Sequence, residues 1–243
     1  MTNTLLNNLL CRQLGIKLPV ILAPLGGGPC TPKLVAAVSN TGALGFLAAA
    51  YLSPYEIEQN ISRIQKLTAR PFGVNLFAPA DTPTLNTKQT KAALKATRIY
   101  RDELHISNPL IEPPFEHSFD EQISVAMKCK PAVFSFTFGL VDKEIIKECR
   151  QQNIVTIGTA TTLQEGIALE EIGVDAVVVQ GVEAGGHRAL FEADQQDSLI
   201  GTFVLTRMMT HALQIPVIAS GGIMDGKGIA AALILGAQAV QLG

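Results

Sequence analysis

Eight short apolar runs recur along this chain of 243 residues, each separated from the next by a segment with helical spacing. They cover 20–23, 43–48, 72–77, 132–136, 155–158, 174–179, 217–219 and 237–242. Most are rich in Val, Ile or Phe, and their apolar character is continuous. That pattern marks strands covered on both faces, as in a buried parallel sheet. Start and stop signals frame the helices between them. Thr31-Pro32 puts an N-cap and an N1 proline before 33–40, with Gly42 beyond. Ser53 with Glu56 forms a capping box before 57–67, and Thr162 with Glu165 repeats it before 167–172, closed by Gly173. Asp142 opens 143–152, Ser198 a helix near 199–213, and Asp225 one at 228–235.

Eight strands with intervening helices, in a length near the ~250 residues typical of that fold, predict a single (β/α)8 TIM-barrel domain over 1–243, ending at strand eight. A doubly wound sheet would place a G-x-G-x-x-G turn after an early strand. Leu25-Gly26-Gly27-Gly28-Pro29 does not fit, because Pro29 and Thr31-Pro32 delay the helix start. The interval 78–130 after strand three is too long for a simple connection. It reads as an insertion: a Pro- and Thr-rich loop at 78–87, an exposed helix at 88–105 and three prolines within 108–115. Such an excursion either covers the barrel mouth as a lid or runs over the surface.

Hydrophobic residues make up 47% of the chain and charged residues 16%, which excludes a disordered tail. The net charge of −2, with no run of like charge, lacks the basic face of a nucleic-acid binder. Cys11, Cys30, Cys129 and Cys149 are scattered without metal-ligand spacing, as reduced and mostly buried thiols are. Met1 to Cys11 has no basic residue before its leucines, and no apolar run approaches the ~20 residues of a membrane span. A cytoplasmic protein with a small-molecule partner is expected.

In a barrel the site is built at the C-terminal ends of the strands. The polar residues and glycines gather there: Pro24, Leu25 and Gly26 after strand one, Asn75 within strand three, Ser135-Phe136-Thr137-Phe138-Gly139 at strand four. Strand seven runs into Ser220-Gly221-Gly222 and strand eight into Gln241-Leu242-Gly243, positions where barrels bind phosphate through backbone N–H groups and a helix N-terminus. Strand six runs into Gln180-Gly181-Val182-Glu183-Ala184-Gly185-Gly186-His187-Arg188-Ala189. Gly185 and Gly186 permit close approach of a ligand. His187 is of the residue type suited to proton transfer near neutrality. A Gly-rich turn with a surface histidine is the plainer reading of the same residues.

These residues resemble the flavin-dependent nitronate monooxygenases (2-nitropropane dioxygenases) over essentially the whole chain. Ala23-Pro24, Gly73-Val74-Asn75-Leu76-Phe77, Phe134-Ser135-Phe136, the Gln180 to Arg188 run and Ile218 to Gly222 carry the likeness in order. The resemblance implies a TIM barrel with FMN at its mouth that oxidises alkyl nitronates with O2 to a carbonyl compound and nitrite. Pro24, Leu25 and Gly26 would back the flavin ring, Asn75 and Gln180 would hydrogen-bond FMN, and Gly185 would pass close to it. Gly221, Gly222, Gln241, Leu242 and Gly243 would hold the phosphate, and His187 would be the catalytic base. Related barrels with a similar Ala-Gly-Gly-His segment imply an alternative, an FMN-dependent NAD(P)H reductase of enoyl-acyl-carrier-protein or quinone type. A non-flavin phosphosugar barrel is a further one.

Two departures stand out. Ala189 occupies a position where a third glycine often follows in the family. Family members also continue past strand eight through a phosphate-binding threonine, a last helix and a roof over the site. A chain shortened at Gly243 is expected to expose apolar surface outside strands eight and one, to hold FMN weakly and to be poorly soluble; an inactive remnant, or a domain completed by a partner, is the alternative. His105, His117 and His211 read as solvated or packed. Glu183 either pairs with Arg188 or is exposed, and Lys128, beside Lys130, either approaches FMN or lies on a wet face.

Overall fold

A computed structural model describes residues 8–80, 86–107, 116–192 and 198–243. The first half of the chain runs α1 (Leu9–Leu14), β1 (Val20–Leu22), α2 (Pro32–Asn40), β2 (Gly45–Ala48), α3 (Pro54–Leu67), β3 (Phe72–Phe77), α4 (Thr87–Ala96), α5 (Arg98–Glu103) and α6 (Phe119–Lys128). The second half follows as β4 (Val133–Thr137), α7 (Lys143–Gln151), β5 (Val155–Ala160), α8 (Leu163–Ile172), β6 (Ala176–Gln180), α9 (Thr202–Ala212), β7 (Val217–Ser220), α10 (Gly226–Ile234) and β8 (Ala239–Leu242). All eight expected strands form, and every pairing is parallel, in the order β1-β8-β7-β6-β5-β4-β3-β2. A bridge at Ile21 and Leu44 brings β1 back to β2, with Leu22 N–H donating to Leu44 O at 2.9 Å and Leu44 N–H to Val20 O at 3.0 Å. The sheet is therefore a (β/α)8 barrel.

Strand alternation divides the residues between two environments. Ile21, Phe46, Val133, Ile157, Ala176, Val178, Ile218 and Ala239 fill the lower barrel, and Leu10, Cys11 and Leu14 of α1 seal its base. A Cβ on Gly73 would lie 2.2 Å from the Phe46 ring, so glycine there is what admits that ring. The alternate residues, such as Val74, Leu76, Phe134, Phe136, Val177 and Val179, face outward and pack with the helices. One rung higher, the inward positions are Ala23, Ala48, Asn75, Thr137, Thr159, Gln180, Ser220 and Gln241, all small or polar. The barrel thus stops being an apolar core and becomes a wettable floor at its C-terminal end.

Both expected capping boxes form, at Ser53/Glu56 and at Thr162/Glu165, and Gly173 ends α8 in the left-handed region at φ 90°. Three helix expectations are corrected. The helix placed near Ser198 begins at Thr202 with Gly201 as N-cap, and Ser198 is buried ahead of it. The cap comes from outside the local sequence, since Glu183 Oε2 accepts from Thr202 N–H at 2.8 Å. The helix expected over 88–105 is two, broken at Thr97, whose N–H and hydroxyl both donate to Ala93 O, at 3.0 and 2.9 Å. Finally, α1 and α6 carry no counterpart in the sequence reading. α6 has an N-cap at Ser118 and packs on α3 and β3 as a barrel helix, so the excursion between β3 and β4 narrows to residues before 118. Neither α4 nor α5 buries a residue. The three-proline stretch 108–115 and part of the 78–87 loop lie outside the described residues. Outside β1 and β8, Val20, Leu22 and Leu242 are half-buried, and Val20, Leu242 and Ile229 of α10 pack against one small cluster that includes Ala219, Ala232 and Val240. Among the described residues no helix is long and apolar enough to cross a membrane.

Candidate active site

A cavity of about 800 Å³ opens at the C-terminal end of the barrel, within the range of small-molecule and cofactor sites. Its lining includes Pro24, Leu25, Gly26, Asn75, Gln180, Gly185, His187, Gly221, Gly222, Gln241 and Gly243. Leu242 is the exception. It follows Gln241 on β8 and so turns to the outer face, where it packs against Ala219, Ile223 and Val240. Its carbonyl is taken by Ala23 N–H at 2.8 Å.

The floor is polar and partly self-satisfied. Asn75 Nδ2 donates to Ser135 Oγ at 2.9 Å, leaving the Asn75 carbonyl oxygen without a partner among the described residues. Gln180 behaves differently from a free ligand-binding amide. Its Nε2 donates to His187 O at 3.0 Å and its Oε1 accepts from Ala189 N–H at 2.8 Å. It thereby clasps the loop that carries His187. Ala189 fits this arrangement without a glycine, being fully buried with its N–H satisfied.

His187 is exposed on the cavity wall, and its imidazole makes no hydrogen bond among the described residues. Its ring meets Phe138 edge to face, centroids 6.1 Å apart, and Phe138 meets Phe77 at 4.8 Å and Phe77 meets Tyr51 at 5.2 Å. Phe138 holds φ 70°, a left-handed conformation that costs a bulky residue about 1–2 kcal/mol. Strain of that kind concentrates at functional sites. The aromatic wall went unseen in the sequence reading, although Phe77 and Phe138 sit where site residues belong, at the ends of β3 and β4.

Arg188 points away from the cavity's reacting face. Its guanidinium donates to Gln180 O at 2.9 Å, to Gly181 O at 2.7 Å and to Ser198 O, and burial lowers its pKa. Glu183, expected to pair with Arg188 or stand exposed, is exposed and also caps α9: its Oε2 accepts from Thr202 Oγ1 at 2.6 Å as well as from Thr202 N–H. Partial burial raises its carboxyl. The hydrogen bonds from Thr202 and its own N–H, with the Arg188 charge, outweigh that and leave the pKa below its ordinary value.

The two glycines after β7 are forced. Gly221 has φ 119° and Gly222 φ 65°, and a Cβ on Gly221 would lie 2.6 Å from Thr202 Oγ1. Their N–H groups and that of Ile223 make no hydrogen bond among the described residues. The N-terminus of α10 offers less than expected, because Asp225 Oδ1 already accepts from Lys227 and Gly228 N–H. An anion would therefore sit on the Gly221-Gly222 backbone and meet repulsion nearer Asp225.

The other candidates lie elsewhere. His105 and His117 are exposed, His211 lies in an outer groove beside Leu163, Phe203 and Met208, and Lys128 Nζ lies 4.0 Å from Glu58 on the surface. Among the described residues no group of His, Cys, Asp or Glu gathers as a metal site.

A family model described as nitronate monooxygenase matches residues 7–243. A probable nitronate monooxygenase of Staphylococcus haemolyticus is 44% identical over 239 residues, covering 98% of this chain and 66% of that protein. One of Staphylococcus aureus is 41% identical over 237 residues, covering 97% and 66%. A nitroalkane oxidase from Streptomyces ansochromogenes superposes with a TM-score of 0.84 at 40% identity, covering 94% of this chain and 65% of that one. FabK from Thermotoga maritima gives 0.72 at 29% identity, covering 96% and 60%. The chain thus spans slightly less than two thirds of these relatives. With a match running from residue 7 to residue 243 through every strand of the barrel, this chain belongs to the nitronate monooxygenase family.

Proposed function

We propose that this barrel binds FMN in the cavity and oxidises alkyl nitronates with O2 to a carbonyl compound and nitrite, His187 accepting the proton when the substrate is a neutral nitroalkane. The observation that carries the proposal is the convergence of His187, Gly185, Asn75 and the Gly221-Gly222 turn on one cavity. The residues fit a flavin. A Cβ on Gly185 or Gly186 would meet nothing within 4 Å, so the wall leaves room for a flat ring to approach. Asn75 offers an unpaired carbonyl oxygen to a ring or ribityl donor, and Gly221 and Gly222 offer unbonded N–H groups to a phosphate. Pro24, Leu25 and Gly26 border the same space, as do Gln241 and Gly243.

The protein's part is placement and proton transfer. His187 is on the wall and its imidazole is unengaged, so a nitrogen is available to a carbon acid in the cavity. The substrate C–H bond breaks, the proton passes to that nitrogen, and the electron pair stays on the substrate as the nitronate. Phe138 and Phe77 present an apolar surface beside it, where an alkyl group avoids water. A bound flavin supplies the electron transfer from nitronate to O2, chemistry that no side chain here provides.

The likeness to FabK supports a second reading, an NAD(P)H-dependent reductase on the same barrel. Anaerobic mixing of FMN-loaded protein with ethylnitronate, and separately with NADH, decides between them. Bleaching of the flavin absorbance by ethylnitronate alone is expected, with nitrite appearing once air is admitted. Bleaching by NADH alone would replace the proposal with the reductase, and no bleaching by either would end both.

A further inference from the structure

We infer that Glu165 is a positioning residue for His187, its carboxylate fixing the far end of the loop that the histidine sits on; the inference rests on His187 being the proton acceptor proposed above. Glu165 stands at the third position of α8 and is fully buried. An ordinary capping box asks its glutamate for one hydrogen bond back to the N-cap N–H. Here Oε2 accepts from Thr162 N–H at 3.2 Å and also from Thr161 N–H at 2.6 Å and Thr161 Oγ1 at 2.7 Å. The box does not require the second oxygen. Oε1 crosses to the loop after β6 and accepts from Phe191 N–H at 2.7 Å and Glu192 N–H at 3.1 Å.

The loop 181–192 therefore has two clamps. Gln180 and Arg188 tie residues 187–189 back to the end of β6, and Glu165 holds residues 191–192. Ahead of both lie Gly185 and Gly186, which resist ordering most, and at the first clamp stands His187, exposed and with no hydrogen bond on its ring among the described residues. The imidazole is thus directed only through its backbone. A charge-assisted acceptor in a water-excluded site is well suited to supply that direction.

A Glu165→Gln variant isolates the role. The amide is uncharged and has one acceptor oxygen, so whichever way it turns the bonds to 161–162 and to 191–192 both lose the charge that strengthens them, and one set also loses its acceptor. A Thr162→Ala variant is the control, because it removes the N-cap hydroxyl bonded to Glu165 N–H but leaves both carboxylate oxygens in place. Amide hydrogen exchange and steady-state kinetics on FMN-loaded protein are then compared. In Glu165→Gln, exchange across 185–192 should rise at least tenfold. The ratio of kcat/KM on neutral nitroethane to that on preformed ethylnitronate should also fall about tenfold, since only the first substrate needs the proton removed. Thr162→Ala should lower Tm and leave both readouts unchanged. Wild-type exchange at 185–192 in Glu165→Gln, equal losses on the two substrates, or the same ratio change in Thr162→Ala would each overturn the inference. If wild-type protein is inert toward both substrates the proposed function falls, and the exchange data by themselves still decide whether Glu165 holds the loop.

Discussion

His187 is held by its backbone: Gln180 clasps its carbonyl, while its ring meets the edge of Phe138 and makes no hydrogen bond among the described residues. Replacing it with alanine is expected to cost about 10²–10⁴-fold on a neutral nitroalkane, the range of general-base catalysis, and far less on preformed nitronate. Nitrite release on the two substrates measures the difference, and equal losses would remove the proton-acceptor role. Glu183 carries a pH dependence. Its folded pKa lies below the ordinary value of 4.5, so its stabilising contribution is present above that value and is lost as pH falls through the lower folded pKa. The stability gap between wild type and Glu183→Gln should be larger at pH 6 than at pH 3 by urea denaturation. Residue identity alone suggested His187, Asn75 and Gly221. It could not show that Gln180 spends both ends of its amide on the histidine loop, nor that Glu183 caps a helix 19 residues away, because both depend on partners set by the chain's path.

At the scale of the element, local chemistry was readable where it is local. Thr31, Ser53 and Thr162 all cap helices as expected, since an N-cap oxygen and the N–H that donates to it lie within three residues of each other. Ser53→Ala should destabilise the protein by about 1 kcal/mol, lowering Tm by roughly 2–4 °C for a chain of this size. The start of α9 escaped the same reasoning because its cap arrives from Glu183. The start of α6 escaped although Ser118-Phe119-Asp120-Glu121 is a capping signature, since the prolines ahead of it drew the whole interval into one insertion. Gly221 binds two elements together. Gly221→Ala would force φ 119° on a residue with a Cβ and press that Cβ within 2.6 Å of Thr202 Oγ1 and 3.1 Å of Ala184 N. A loss of about 1–3 kcal/mol is expected, checked by chemical denaturation.

For the whole molecule, the proposed cofactor offers a stability test. FMN at a hundred times its Kd should raise the stability of the folded state by about 2.7 kcal/mol, provided the unfolded chain does not bind it. Thermal melts across an FMN series read this directly, and in Gly221→Ala the curve should shift to higher FMN concentration. A flat Tm up to millimolar FMN would exclude the cavity as its site. The eight apolar runs and their spacing determined the barrel, because a parallel strand needs two apolar faces and a helix to return, and both are written in consecutive residues. What lies within hydrogen-bonding reach of what was settled only by closure of the sheet. Closure put the inward rung of Asn75, Thr137, Gln180, Ser220 and Gln241 around one floor. It also brought Glu165 to residues 26 and 27 positions further on. Short-range periodicity fixes which face a side chain takes, whereas its partners belong to segments far apart in sequence, and only the folded barrel supplies them.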